Sequence, residues 1–353
     1  MRTLPFFILS LVLIALLTNC IPTPAQVTTY NPGFFYLALA PEPMLIFSDT
    51  PGSSIRAQIK LNPPTDCSLF AIHPAPLGRW IAVEWECTFG PAVELFDTAS
   101  KNSHFALSDP TIDSRFLAWQ PDGNGLYLKI GTLSVPQTLR MNAASGKAVE
   151  LNISPFVYDL LSTPDGKRIL YSLSKGIGFG SETWLAGPEG QNPSQLLVDE
   201  KNIIGLAQYS PDGSQIAFIS FKDDQTPTLS GELWLMDSGG FHPRKLAIAD
   251  AGRGFAPAWS PDGTKIVFAG REQKDDPNSI NVSIYNVNPE KLTSIPIAPD
   301  TQPTWSSDGS LIAFSSNPTI QNGSDKMNVW LYEMSSKKVK KLVSGACCAG
   351  WIR

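Results

Sequence analysis

The stretch "PAWSPDGTKIVFAG", residues 257–270, decides how the rest of the chain is read. Trp259 ends a short apolar run, and Ser260-Pro261-Asp262-Gly263 follows it. The proline presets φ for the first central position of a type I turn. The aspartate accepts hydrogen bonds from nearby backbone amides, and the glycine takes the left-handed conformation that comes next. A three-residue loop of this kind joins two antiparallel strands. After the turn Ile266 and Phe268 point one way, and this period of two in β-branched and aromatic residues is a strand signal. The phrase returns as "AQYSPDGSQIAFIS" at residues 207–220 and "PTWSSDGSLIAFSS" at residues 303–316.

The repeats have a measurable period. The turn aspartates Asp122, Asp165, Asp212, Asp262 and Asp308 stand 43, 47, 50 and 46 residues apart. A weaker copy, "HPAPLGRWIAVEW", carries Leu77-Gly78 in place of Asp-Gly. A period in the mid-forties fits a four-stranded propeller blade. After the hairpin comes a third strand, as in "ELWLMD", "SIYNVN" and "NVWLYE", and then a fourth, as in "RKLAI" and "KKLVS". Each unit therefore reads A-B-C-D, with the recurring turn between A and B. The five aspartates are turn residues on this reading, not catalytic acids. Trp119, Trp259 and Trp305 occupy one equivalent place on strand A, as expected for packing between blades.

Six complete units begin near Ser68, Ser114, Val157, Ile204, Phe255 and Thr301. Residues 34–61 read as strands B, C and D without an A, while "CCAGWIR" at the other end reads as an A strand alone, with Trp351 in the place of Trp259. The two fragments complete each other. The expected fold is all-β: a seven-bladed β-propeller of four-stranded antiparallel blades, closed by the C-terminal strand pairing with the N-terminal blade. Such closure removes the open edge that a linear array leaves.

The units resemble the TolB-type, WD-like propeller repeats of bacterial extracytoplasmic proteins, through "WSPDG" followed by alternating apolar residues. The resemblance covers nearly all of residues 34–353 and implies the blade architecture. It does not imply one function, because the same blades occur in scaffolds, peptidase gates and lyases. The Tol-system protein itself carries an α/β domain before six blades, whereas here the count is seven, so its role is not transferred.

The 353 residues are 42% hydrophobic and only 17% charged, with 30 prolines and 27 glycines, a balance that suits many short strands joined by turns. The net charge of -5 argues against a nucleic-acid surface, which needs a basic patch. No G-x-S-x-G nucleophile elbow occurs. "GIGFGS", residues 176–181, lies between strands B and C and does not lead into a helix, so it reads as a loop and not as a phosphate cradle. His73 and His104 belong to the first complete blade and His242 to the fourth, across the ring, so no shared metal is expected. The reading assigns no catalytic residue, no metal and no cofactor.

Cys67 lies before strand A and Cys87 after strand B of one hairpin, nearly equidistant from its turn, and opposed cysteines on an antiparallel pair can bridge. A disulfide Cys67–Cys87 is expected; a clasp from Cys347 or Cys348 to the same blade is the alternative. The B–C connections lengthen in four consecutive units. Residues 174–182, 221–232, 270–279 and 317–326 are expected to form one partner-binding surface, with Phe179 and Phe221 as apolar anchors and Asp223, Asp224, Asp275 and Asp276 among its charges. The alternative is that these loops are solvated insertions.

The first nineteen residues stand apart. Arg2 precedes an uncharged apolar run, residues 4–17, shorter than the roughly 20 residues of a membrane span and suited to a secretory signal. "LTNC" then ends at Cys20 and resembles the bacterial lipoprotein signal, in which the cysteine is acylated, although Asn19 stands where a small residue is usual. Residues 1–19 are read as the signal peptide, residues 20–33 as a Pro/Thr-rich flexible tether, and residues 34–353 as the propeller. The functional expectation is a monomeric, membrane-tethered binding or scaffold module, in the periplasm or on the cell surface, with a protein or glycan partner. The alternative is a propeller enzyme acting on polysaccharide, either a lyase or a glycoside hydrolase. Cys20→Ala is expected to abolish lipid labelling and move the chain into the soluble fraction; equal membrane retention of the variant would assign the anchor to residues 4–17 instead.

Overall fold

The structure is a computed structural model. It describes residues 33–352 except 89, 108, 110–111, 132–134, 223–229, 275, 277 and 317–326. Every regular element among the described residues is a strand. The first three are β1 (Gly33–Ala38), β2 (Met44–Ser48) and β3 (Ile55–Lys60). The next four are β4 (Cys67–Pro74), β5 (Trp80–Cys87), β6 (Gly90–Asp97) and β7 (Asn102–Phe105). They are followed by β8 (Ser114–Trp119), β9 (Gly125–Ile130), β10 (Gln137–Asn142) and β11 (Ala148–Glu150), then by β12 (Val157–Ser162), β13 (Ile169–Ser174), β14 (Ser181–Ala186) and β15 (Ser194–Asp199). After these come β16 (Asn202–Tyr209), β17 (Gln215–Lys222), β18 (Ser230–Asp237) and β19 (Arg244–Asp250), then β20 (Ala258–Trp259), β21 (Lys265–Arg271), β22 (Ile280–Asn286) and β23 (Lys291–Ile295). The last are β24 (Thr304–Trp305), β25 (Leu311–Ser316), β26 (Asn328–Glu333), β27 (Lys338–Ser344) and β28 (Ala346–Ile352).

All pairings are antiparallel. Five sheets have four strands: β28-β1-β2-β3, β4-β5-β6-β7, β8-β9-β10-β11, β12-β13-β14-β15 and β24-β25-β26-β27. The strands β16–β19 and β20–β23 make two more such groups, joined into one eight-stranded sheet by the single pair Ala249↔Gly270. Every sheet is open, and none closes on itself. Multiple four-stranded antiparallel sheets in an all-β chain are the material of a propeller. Two of the first strands, β20 and β24, are only two residues long, shorter than the repeat pattern suggests. β28 lies beside β1, with Phe34 opposite Trp351 and Ala38 opposite Ala346.

The second strand of each group is buried on both faces, and in β17, β21 and β25 the aromatic residue marks the face turned to the preceding group. In β17, Ile216 and Phe218 enter the apolar cluster shared with Leu161, Leu170 and Leu185 of the preceding group. Ala217 and Ile219, between and beyond them, enter the cluster shared with Trp259, Ile266 and Phe268 of the following group. The rule repeats in β21, where Ile266 and Phe268 face back while Val267 faces forward, and in β25, where Ile312 and Phe314 face back while Ala313 faces forward. Alternation here does not mean core against solvent. It means the face with the aromatic residue against one sheet and the other face against the next, as in sheets stacked face to face. The fourth strands, such as β15 and β27, carry the solvent-facing side.

Tryptophans fix these sheets to one another. Trp119 Nε1 donates to the His73 carbonyl at 2.9 Å, Trp259 Nε1 to Gln208 at 3.1 Å and Trp305 Nε1 to Ala258 at 3.0 Å, in each case on the first strand of the preceding group. Each indole thus supplies apolar area and satisfies its own polar atom.

The turns behave as their residues dictate. Gly263 N donates to Ser260 O at 2.9 Å and Ser260 N to Lys265 O at 2.8 Å, and Gly263 has φ +68°, a conformation open to glycine without strain. Asp262 Oδ1 accepts from the Thr264 amide at 3.0 Å and the Ser260 hydroxyl at 2.5 Å. Asp212 and Asp308 repeat both bonds, Asp165 accepts from the Lys167 amide, and Asp122 accepts from the Asn124 amide. These hydrogen bonds hold the carboxyls of Asp165, Asp212 and Asp308 below the usual range. At Asp262 burial pushes the other way, but the bonds from Ser260 and Thr264 and the charge of Lys265 outweigh it and leave the group at about 2. A depressed folded-state value contributes stability above the unfolded value, near 4, and loses it as pH falls through the folded one. Replacing Asp212, Asp262 and Asp308 together by Asn is therefore expected to flatten the loss of melting temperature between about pH 4 and about pH 2; an unchanged acid slope would remove these turns from the acid response.

Candidate functional site

The end of each group at which the second strand passes to the third gathers the chemistry that the repeat itself does not need. The second and fourth strands of an antiparallel group run in the same direction, so their ends lie together. After β13, Lys175 Nζ meets Glu200 Oε2, just beyond β15, at 2.8 Å. The loop that Lys175 opens is ordered by its own backbone: Lys175 N donates to Gly180 O and Phe179 N to Gly176 O, both at 3.0 Å. Gly180 has φ +77°, and a Cβ there would meet the Asp199 carbonyl oxygen at 2.0 Å, so only glycine fits. From this frame Ile177 and Phe179 extend, each with 66% of its surface exposed.

At the same end of the neighbouring groups lies a buried ion pair. Arg271, the last residue of β21, donates through Nε and Nη2 to Asp250 Oδ1 at 3.0 and 2.5 Å. Their side chains are 3% and 1% exposed. Asp250, the last residue of β19, also accepts the Arg253 amide at 3.1 Å, and Arg253 Nη2 lies 3.7 Å from Asp300. Arg271 Nη1 reaches the Asp276 carbonyl at 3.4 Å and so ties down the loop after β21. A pair this dry persists only because each charge is multiply bonded.

A third assembly sits between the β4–β7 and β8–β11 sheets. Glu84 is buried; its Oε2 lies 2.9 Å from His73 Nε2, and its Oε1 accepts the Phe116 amide at 3.1 Å. The His73 ring stacks on Phe116 with centroids 4.2 Å apart. Arg115 bonds Glu86 at 2.6 Å, comes within 4.0 Å of Glu84 and lies over the exposed Phe70 ring at 4.8 Å. A carboxylate that orients an imidazole beside a guanidinium can hold a proton and steady an anion.

The residues singled out in the sequence separate on this framework. Phe179 is exposed on the 175–180 loop. Phe221 is not an exposed anchor: it lies in β17, opposite Ile203 and Gly231, and packs half-buried against the apolar cluster that contains Trp259. Strand β17 runs one residue beyond it, and this extension draws the ring into the core. Asp276 Oδ1 accepts the Asn278 amide at 2.8 Å, which is turn chemistry within its own loop. Asp223, Asp224, Asp275 and Cys20 lie outside the described residues. Cys67 and Cys87 are opposite each other on β4 and β5 and form a disulfide. His104 packs edge-on against Trp80, and His242 bonds Asp237, so the three histidines stay apart. Among the described residues no three His, Cys, Asp or Glu side chains come together so as to hold a metal ion. Sequence reasoning missed the Asp250–Arg271 pair and the Glu84–His73–Arg115 group. Neither recurs with the repeat, and an isolated charge inside a strand is the only signal either leaves.

Comparison with known proteins supports the repeat. Residues 180–346 match the family model described as the TolB beta propeller domain. No curated protein sequence matches the chain. Among solved structures, the chain is similar to a protein described as TolB from Agrobacterium tumefaciens, with 19% identity, a TM-score of 0.50, and 72% of this chain and 88% of that one covered. It is also similar to TolB from Acinetobacter baumannii, with 16% identity, a TM-score of 0.52 and coverage of 90% and 81%. An oligogalacturonate lyase from Vibrio parahaemolyticus aligns as well, with 13% identity, a TM-score of 0.54 and coverage of 89% and 85%. Likeness at such identities is a likeness of fold.

The buried pair makes the sharpest energetic prediction. Arg271→Met strands a buried carboxylate and is expected to cost about 3–5 kcal/mol, while Arg271→Met combined with Asp250→Leu recovers most of it. Denaturant unfolding measures both, and a single-variant loss below about 1 kcal/mol would mean that water reaches Asp250.

Proposed function

We propose that this TolB-type β-propeller protein is a binding or scaffold module working outside the cytoplasm, tethered to a bacterial membrane by a lipid on Cys20. Its scaffold is a ring of seven four-stranded blades, closed by β28. Three observations support the ring. The strands fall into seven groups of four. Apolar clusters bind successive groups face to face. β28 touches β25 of the last complete group and β4 of the first. The Cys67–Cys87 disulfide supports the compartment, because such bonds persist where the surroundings are oxidising.

The binding reading rests on the 175–180 loop. Ile177 and Phe179 are held out in solvent on a backbone fixed by two hydrogen bonds and an ion pair. Apolar side chains presented without an ordering cost are what a recognition surface needs. Two apolar side chains on one short loop suit a protein partner better than a glycan, which asks for a broad aromatic face and polar neighbours.

A second reading, an enzyme acting on polysaccharide, has the Glu84–His73–Arg115 group in its favour. In it His73 takes a proton from the sugar ring and Arg115 steadies the charge that develops.

A photo-crosslinking residue at position 179 separates the readings when compared with one at position 167, in a turn at the other end of the same group. Covalent capture of a protein from 179 and not from 167 is the expected result. Equal labelling at both positions, together with turnover of acidic oligosaccharides that Glu84→Gln abolishes, would replace the binding module with the enzyme.

A further inference from the structure

Among the described residues, the cysteines outside the Cys67–Cys87 bridge are the two on strand β28. Cys347 pairs with Leu37 of β1, Gly350 pairs with Phe35, and the register slips between them. The slip is a bulge, and Cys348 stands in it with φ +57°. The bulge belongs to the architecture: β16 has one at the corresponding place, where Leu206 holds φ +55° and the register slips between Gly205 and Gln208. There the chain uses an aliphatic residue; in β28 it places adjacent thiols. Neighbouring side chains in a regular strand point to opposite faces, which keeps their sulfurs apart. In β28 the bulge brings the sulfurs to 2.6 Å, well inside ordinary non-bonded contact. Cys347 is buried and Cys348 half-exposed.

We propose that Cys347 and Cys348 form a reversible redox modification site, oxidised to a vicinal disulfide by a small-molecule disulfide of the glutathione type. Cys348 is the open member, so it reacts first. Its thiol gives up a proton and attacks one sulfur of the small disulfide. A mixed disulfide forms on Cys348, and the first small thiol leaves with that proton. Cys347 then gives up its own proton and attacks Cys348 Sγ, expelling the second small thiol, which takes it. Two thiols have become one disulfide, and two electrons and two protons have passed to the oxidant. The hydrogen bond with Cys348 and burial both push the Cys347 thiol up, which agrees with Cys347 acting second, on a sulfur already beside it. The modification fixes the bulge of the strand that lies against β1. It stands apart from the binding reading, because neither thiol belongs to the 175–180 loop.

Peptide mapping of the full chain tests the site. The protein is exposed to glutathione disulfide, quenched in acid, blocked with iodoacetamide in denaturant without reductant, and cut with trypsin. Cleavage after Lys341 leaves both cysteines on one peptide ending at Arg353. The expected peptide is unblocked and lighter than the dithiol by two hydrogens, and dithiothreitol converts it to a form that takes two blocking groups. The proposal is overturned by a peptide carrying two blocking groups after oxidation, by a persisting glutathione adduct on Cys348, or by a cross-link to Cys67 or Cys87.

Discussion

Everything in this fold depends on sheets stacked face to face, so that the second strand of each group must satisfy two different neighbours. Ile216 and Phe218 fill the space toward one sheet while Ala217 and Ile219 fill it toward the next. The face that carries Phe218 and the face that carries Ala217 are one message read on two sides. This explains why the hairpin can repeat with so little variation after its turn. Exchanging the faces by a one-residue slip would drive Phe218 into the space fitted to Ala217. The turn residues guard against that slip: the bond from Gly263 N to Ser260 O and the carboxylate of Asp262 fix the register before the strands pack.

The parts that repeat were therefore legible. Five turn aspartates, the apolar alternation after each glycine and the equivalent tryptophans are local signals, and local signals survive in one sequence. Cys67 and Cys87 were legible for the same reason, since a hairpin fixes which residues face each other. Alternation alone does not say whether the second face meets water or another sheet. The reduction of β20 and β24 to two residues was hidden too, because the pattern of "AW" and "TW" is unchanged by the loss of pairing around it.

The candidate site was less legible, and the two phenylalanines show why. In the sequence Phe179 and Phe221 both stand where the second strand of their groups gives way to a long loop, and they looked alike as anchors. Phe179 lies beyond Gly176 and Gly178 and just before Gly180, all at positive φ, and these turn the chain outward, so its ring stays in solvent. Phe221 has no such break before it, the strand continues, and the ring is pulled into the core. Charged groups were harder still. Asp250 and Arg271 lie 21 residues apart in different groups and meet only because the ends of β19 and β21 converge. No spacing rule within one repeat reaches that pairing.

The strand that joins the chain ends has a different energetic problem from the others. β28 pairs with β1 across more than 300 residues, whereas the disulfide closes a separation of 20. Loop-closure entropy grows by about 0.6 kcal/mol per doubling of length, so roughly four doublings make the long closure about 2–3 kcal/mol dearer. Closing a loop of this length contributes about 3 kcal/mol by chain entropy, but Cys67–Cys87 applies it to the β4–β5 hairpin and not to the pairing of β28 with β1. Apolar burial does more: Phe34, Phe35 and Leu37 of β1 are almost wholly buried, and full burial of such side chains contributes about 1.5–3 kcal/mol each. Trp351 lies 5.0 Å from Phe34, but its Nε1 finds no hydrogen-bond partner among the described residues, unlike its equivalents Trp119, Trp259 and Trp305. The sheet built from both chain ends therefore leans on packing where the internal sheets also use a hydrogen bond. It is the sheet whose backbone geometry at Cys347 and Cys348 matters most.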